Sequence, residues 1–239
     1  MGGTSTNAEQ LIDAALRLTV ERGWRELTLP EIAAEAGVSL ADAYTAFPTK
    51  MAMLNGFMAR IDRQMLAEGA PDTAETVRDR LFDVVMRRFD ALGPHKDAVA
   101  AIVDDLPADP LSTLAVLPAF GNSMAWTLEA AGVSASGLSG ALRIQGLAII
   151  YLTTLRTWLQ DDTADAARTM ATLDRALRRT EMLIRAFPGL RSHRKRRPDP
   201  GPTWDKGQSG EGQSGALNAG DFPSGNSPSS DAPEDGNRL

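Results

Sequence analysis

The chain has 239 residues, with 25 Lys+Arg against 31 Asp+Glu, two His and no Cys. That length can bury a sizeable core, and the missing thiols exclude a disulfide framework, a thiolate nucleophile and Cys-ligated zinc or iron–sulfur clusters. With imidazole only at His95 and His193, no multi-histidine metal site, no acid–base pair of histidines and no cofactor are expected. No nucleophile or phosphate-cradling loop can be assigned either, so the sequence points away from an enzyme.

The first ten residues, MGGTSTNAEQ, have neither the positive start nor the apolar stretch of a secretory signal. No uninterrupted apolar run reaches the roughly eighteen residues that span a bilayer, and a cytoplasmic protein is expected. Periodicity then predicts helices near 8–22, 28–36, 40–47, 49–69, 76–92, 95–104, 110–131, 136–161 and 164–187, with breaks at Gly23, Gly37, Pro48, Pro71, Gly93-Pro94, Pro107, Pro110 and Gly132. No alternating strand pattern interrupts them, so the expected fold class is all-α.

The first helix is read with Leu11, Ile12, Ala15, Leu16 and Val20 inward, and Trp24 and Leu27 return the chain to the core. Thr28 precedes Glu31 by three positions, a capping-box spacing, with Pro30 tolerated in the first turn. Ser39 caps a third short helix after Gly37 and Val38. Two short helices joined by a glycine turn make a helix-turn-helix.

LTLPEIAAEAGVSLADAYTAFPTKMAML resembles the DNA-binding segment of TetR-family transcriptional regulators, through Gly23, Thr28, Ile32, Ala33, Ala36, Gly37, Val38, Ser39, Tyr44, Phe47, Pro48, Lys50 and Leu54. The resemblance implies a three-helix DNA-binding domain over 8–58 and a larger helical ligand and dimerisation domain over 59–190. It also implies that the third helix enters the major groove, placing Leu40, Ala41, Asp42 and Thr45 toward bases, with Tyr44 and Lys50 on phosphates. Thr28, Ser39 and Thr49 sit at helix starts, where hydroxyl and backbone N–H groups meet phosphate. One departure is electrostatic. Residues 1–56 hold four basic and seven acidic side chains, a net of −3, and phosphate neutralisation dominates non-specific affinity. Binding is therefore expected to need operator DNA held by both halves of a homodimer, with the seam in the helices near 136–161 and 164–187.

In the larger body, Met86, Phe89, Leu117, Phe120, Met124, Trp126, Tyr151 and Trp158 are candidate linings for a small apolar effector, with ordinary core packing the commoner role for any one of them. Pro118 inside the 110–131 helix removes a hydrogen bond and marks a bend or hinge. His95 and the acidic Asp104, Asp105 and Asp109 are read as a partnered or exposed histidine and a solvated loop.

A second resemblance covers 151–187. Trp158, Leu159, Asp161, Asp162, Asp165, Thr169, Leu173, Asp174, Arg175, Arg178 and Arg179, with Gly23-Trp24, are similar to the TetR-fold accessory proteins of ubiquinone biosynthesis. That implies an alternative function, binding an isoprenoid or quinone lipid without DNA, with membrane contact left open because no amphipathic helix follows residue 187. Beyond it come a basic run, 191–197, and a segment from 198 to 239 with 8 Gly, 6 Pro and 6 Ser and a net charge of −5. That composition predicts an acidic, disordered tail.

Overall fold

Leu11, Ile12, Ala14, Ala15, Leu16 and Leu18 recur at helical spacing and are all buried, so helix α1 (Gly2–Arg22) is fixed by one apolar face. The structure, a computed structural model, describes residues 2–69, 71–72, 74–163 and 165–186. The basic run and the tail expected to be disordered lie outside them. Val20, expected inward, is 55% exposed; the buried face instead runs through Leu18 and Thr19, whose hydroxyl donates to the Ala15 carbonyl at 2.7 Å.

Gly23 takes φ +83° and ends α1 by donating to the Thr19 carbonyl. Helices α2 (Leu29–Ala36) and α3 (Leu40–Ala46) follow, and α4 (Lys50–Ala67) buries Met53, Leu54, Phe57, Ile61 and Met65. The boundary expected at residue 58 falls inside α4, which runs unbroken from the N-terminal helices into the body and packs on α5 and α7.

The body holds α5 (Val77–Leu92), α6 (Lys96–Asp105), α7 (Pro110–Ala130), α8 (Gly137–Leu159) and α9 (Ala167–Ala186), with short 3-10 turns at Gly93–His95 and Leu106–Ala108. No strand occurs among the described residues. Helix α8 lies between α7 and α9, and α5 contacts both of those from beneath. Phe89 anchors the layer, stacking on Tyr151 at 5.2 Å and meeting Trp158 at 5.5 Å, pairings worth about 0.5–1.5 kcal/mol each beyond buried area.

Helix α9 begins at Ala167 rather than at 164, because the preceding turn is a capping knot. One Asp161 oxygen accepts from the Thr163 backbone and hydroxyl, the other from those of Thr169 at 2.8 and 2.7 Å. Those donors hold the Asp161 carboxyl well below the usual carboxylate range, the Thr163 hydroxyl contributing most. Ala166, at φ +50°, completes the knot.

Candidate nucleic-acid interface

Helices α2 and α3 are pinned from inside by Ile32, Ala33 and Ala43. Between them Gly37 adopts φ +66° and donates to the Ala34 carbonyl, while the Val38 N–H reaches that of Ala33 at 3.0 Å. What remains outward on α3 is Leu40, Ala41, Asp42, Tyr44 and Thr45, with Tyr44 68% exposed. The resemblance assigns Leu40, Ala41, Asp42 and Thr45 to bases and Tyr44 to phosphate, and all five are exposed on α3.

The polar groups around that face are engaged within the chain. The Thr28 hydroxyl donates to Glu31 at 2.7 Å and its N–H donates to the same oxygen, which keeps the Glu31 carboxyl below its ordinary pKa. Ser39 accepts from the Asp42 N–H and donates to the Asp42 carboxylate at 2.7 Å. Both N-cap hydroxyls thus already donate to carboxylates that repel phosphate. Thr45 donates to the Ala41 carbonyl. Thr49 differs, accepting from the Ala52 N–H at 3.0 Å, so its hydroxyl proton stays available at the start of α4.

Lys50 does not point freely outward. Its Nζ donates to the carbonyls of Trp24 at 2.9 Å and Arg25 at 3.0 Å and lies 5.5 Å from the Trp24 ring. Burial pulls its pKa down against the opposing pull of Asp109 and Asp105. An ammonium has three donors, so one is left for a phosphate. Arg17 and Arg22 are drawn to Glu35 and Glu31 at 3.2 and 3.4 Å.

Two joints tie this domain to the body, and neither was visible in the sequence. Asp105, read as part of a solvated loop, accepts from the Arg25 N–H at 3.0 Å, and Ile102 lines a narrow apolar cleft with Ile12, Trp24, Met53 and Phe57. Arg60, on α4, meets Glu9 at 3.1 Å, Asp13 at 2.6 Å and His95 at 3.3 Å. Burial, then the Arg60 charge, lowers the His95 pKa. The partners in each joint come from helices far apart in the chain, so spacing gave no signal.

The candidate effector lining divides. Phe89, Met124, Tyr151 and Trp158 are buried, and Met86 and Phe120 partly so. Leu117 and Trp126 are 52% and 51% exposed, because they fall on the outer side of α7, and cannot line the interior of one copy. At the centre, four helices each supply a polar group: Asp62 takes hydrogen bonds from Arg88 and from Ser123, and the Arg88 guanidinium lies 5.4 Å from the Tyr151 ring. The Nε of Arg88 is buried without a hydrogen-bond partner. Among the described residues no group of three or more His, Asp or Glu could hold a metal.

The structure thus sets a helix-turn-helix with an open second helix on a larger helical body. Residues 11–56 match the family model described as bacterial regulatory proteins, tetR family. Over 94 residues the chain is 33% identical to the HTH-type transcriptional regulator BetI of Brucella anthropi, a match covering 38% of this chain and 48% of that one. The chain thus aligns with about half the length of this curated relative. Its fold resembles the TetR transcriptional regulator from Nitrosomonas europaea (24% identity, TM-score 0.57, 73% of this chain and 98% of that one). It also resembles a tetR-family transcriptional regulator from Streptomyces coelicolor (20% identity, TM-score 0.53, 77% and 84%). The likeness to the tetR family is thus carried by residues 11–56, and the likeness of the whole helical fold by these solved structures.

None of these three is named as a ubiquinone-biosynthesis protein, and the residues behind that second resemblance have a local structural job. Trp158, Asp161, Thr169 and Leu173 are all buried where α8 turns into α9.

Proposed function

We propose that the chain is a transcriptional regulator that binds operator DNA as a homodimer and responds to a small apolar effector. One observation carries the DNA reading: the outer face of α3, with Tyr44 at 68% exposure, stands open on the segment that matches the family model. Two such helices, held about one DNA turn apart, would occupy successive major grooves. The effector reading is supported by the partnerless Arg88 Nε, which a hydrogen-bond acceptor on an otherwise apolar ligand would satisfy. In this mechanism the effector favours one of two arrangements of the body, and the Ile102 and Asp105 contacts carry that choice to α1 and the turn after it.

The test is selection of genomic fragments by the purified chain at about 50 mM and about 200 mM salt, with sequencing of what is retained. Enrichment of a short inverted repeat, lost on Tyr44→Ala, supports the regulator. No enrichment at the lower salt refutes it.

A further inference from the structure

Helix α3 has the sequence LADAYTA, which contains no Arg, Lys, Asn or Gln. Those four side chains supply the bidentate contacts by which helices read base edges in the major groove, Arg and Lys to guanine O6 and N7, Asn and Gln to adenine N6 and N7. The exposed face of α3 lacks all of them, and what it offers instead is mostly hydrocarbon.

Leu40 is 54% exposed and apolar throughout, and Ala41 is exposed and presents a methyl group. Thr45 is exposed too, but its hydroxyl donates to the Ala41 carbonyl at 2.9 Å, one turn back along the helix. That bond commits the hydroxyl proton to the helix and leaves the Thr45 methyl as the group turned outward. Ala41 and Thr45 stand four positions apart and share one side of α3, with Leu40 and Tyr44 paired the same way beside them. Buried Ala43 takes the inner side.

Asp42 is the polar exception. Its carboxylate accepts from the Ser39 hydroxyl at 2.7 Å, and an ionised carboxylate has no proton to donate. Guanine shows the major groove two acceptors, O6 and N7, so Asp42 opposes it and is compatible only with the amino edge of cytosine or adenine. Tyr44 carries a single hydroxyl, assigned by the resemblance to phosphate. Hydrogen-bond readout by α3 is therefore poor where apolar contact is plentiful, and thymine is the base that shows the groove a methyl group.

We propose that α3 selects its operator through thymine methyl groups, which pack against Leu40, Ala41 and the Thr45 methyl, while Asp42 excludes guanine at the neighbouring base pair. This readout presupposes the regulator reading and gives it a base chemistry.

The test uses the full chain and the inverted repeat recovered by genomic selection. In one set of duplexes each thymine of a half-site, with its symmetry mate, is replaced by deoxyuridine, which removes the methyl group and leaves base pairing intact. In a second set each guanine is replaced by 7-deazaguanine, which removes N7. A fully covered methyl group accounts for about fourfold in affinity per half-site and about fifteenfold for the symmetric pair. Deoxyuridine should weaken binding by about that much at two or more thymine positions. Thr45→Ser keeps the hydroxyl bond to Ala41 and deletes only the methyl. It should cease to distinguish thymine from deoxyuridine at one of those positions while still distinguishing them at the others, a pattern that loss of folding does not produce. Binding indifferent to every deoxyuridine replacement overturns the methyl readout, as does a Thr45→Ser protein that distinguishes the two pyrimidines everywhere the wild type does. A 7-deazaguanine penalty larger than any deoxyuridine penalty overturns it too, because guanine hydrogen bonding would then dominate. An operator that is bound but fails these comparisons leaves the regulator standing and removes the thymine readout alone, whereas absence of any retained DNA removes both.

Discussion

The salt dependence of DNA binding is the most direct consequence of how the cations near α3 are placed. Residues 1–56 contain Arg17, Arg22, Arg25 and Lys50 as their basic side chains. Arg17 and Arg22 are matched by Glu35 and Glu31, leaving Arg25 and the third donor of Lys50. Two cations per protomer give four in the proposed dimer, and about 0.9 counterions released per neutralised phosphate give a slope of log K on log salt near −3.6. Raising salt from about 50 to about 200 mM then weakens binding about 150-fold. If all four cations of each copy reached phosphate, the slope would approach about −7 and the loss about 20,000-fold.

Fluorescence anisotropy with the selected operator, over a salt series, separates the two. Lys50→Met should flatten the slope by about 1.8, one contact per protomer, and Glu31→Gln should steepen it by a similar amount by releasing Arg22. Exposed ion pairs are worth only about 0–1 kcal/mol, so DNA could in principle pull them open. A wild-type slope near −7, unchanged by Glu31→Gln, would refute the idea that these pairs hold the arginines back.

Further perturbations follow from single contacts. Asp42→Asn keeps an acceptor for the Ser39 hydroxyl while removing a charge from the exposed face of α3, and should tighten operator binding at low salt with the effect fading at high salt, read by the same anisotropy assay. At Gly56 a methyl group would lie 2.6 Å from a Phe47 ring carbon, so Gly56→Ala should push that ring and the end of α3, costing about 1–3 kcal/mol in denaturant unfolding and weakening DNA binding. Asp161 has a depressed carboxyl pKa, so its contribution is present above the unfolded value near 3.9 and is lost as pH falls below it. Asp161→Asn should therefore melt below wild type at pH 7, with the gap starting to narrow only below about pH 4. His95, held neutral by burial and Arg60, lets the unfolded chain take up a proton first. Stability should fall as pH drops below about 6.5, and His95→Gln should flatten that part of a melting-temperature profile.

The helices and the turn of the N-terminal helix-turn-helix were legible because each rests on local rules: the period of Leu11, Ile12 and Leu16, the positive φ at Gly37, the spacing of Thr28 and Glu31. Element ends followed where a local cap decides them and slipped where a longer-range knot does, as at Asp161, which delays α9. The solvent-facing set on α3 was readable from helix geometry, while its assignment to a groove is what the family resemblance implies. That Lys50 donates to Trp24 and Arg25 was not, since the carbonyls lie 26 and 25 positions earlier and meet it only once α4 packs on the turn after α1. Leu117 and Trp126 were misassigned for a related reason: the sequence showed that α7 is apolar but not which side of it faces the core.

The same limit explains the interdomain joints and gives them their meaning. Ile102 fills space beside Ile12 and Phe57, and Asp105 accepts from Arg25, so the C-terminal end of α6 forms part of the floor on which α1 and its following turn rest. That turn also supplies both carbonyls that hold Lys50. A shift of α6 in the body would thus move Lys50, the cation proposed to meet phosphate, through two hydrogen-bonded steps. Ile102→Ala leaves those bonds in place but empties the packing beneath them, costing about 2–5 kcal/mol. If α6 is the link between body and groove, this variant should loosen DNA binding while Tyr44 and the whole face of α3 remain unaltered. Unchanged operator affinity in a measurably destabilised Ile102→Ala protein would show that α1 keeps its place without α6, and the coupling would have to run through α4 and Arg60 instead.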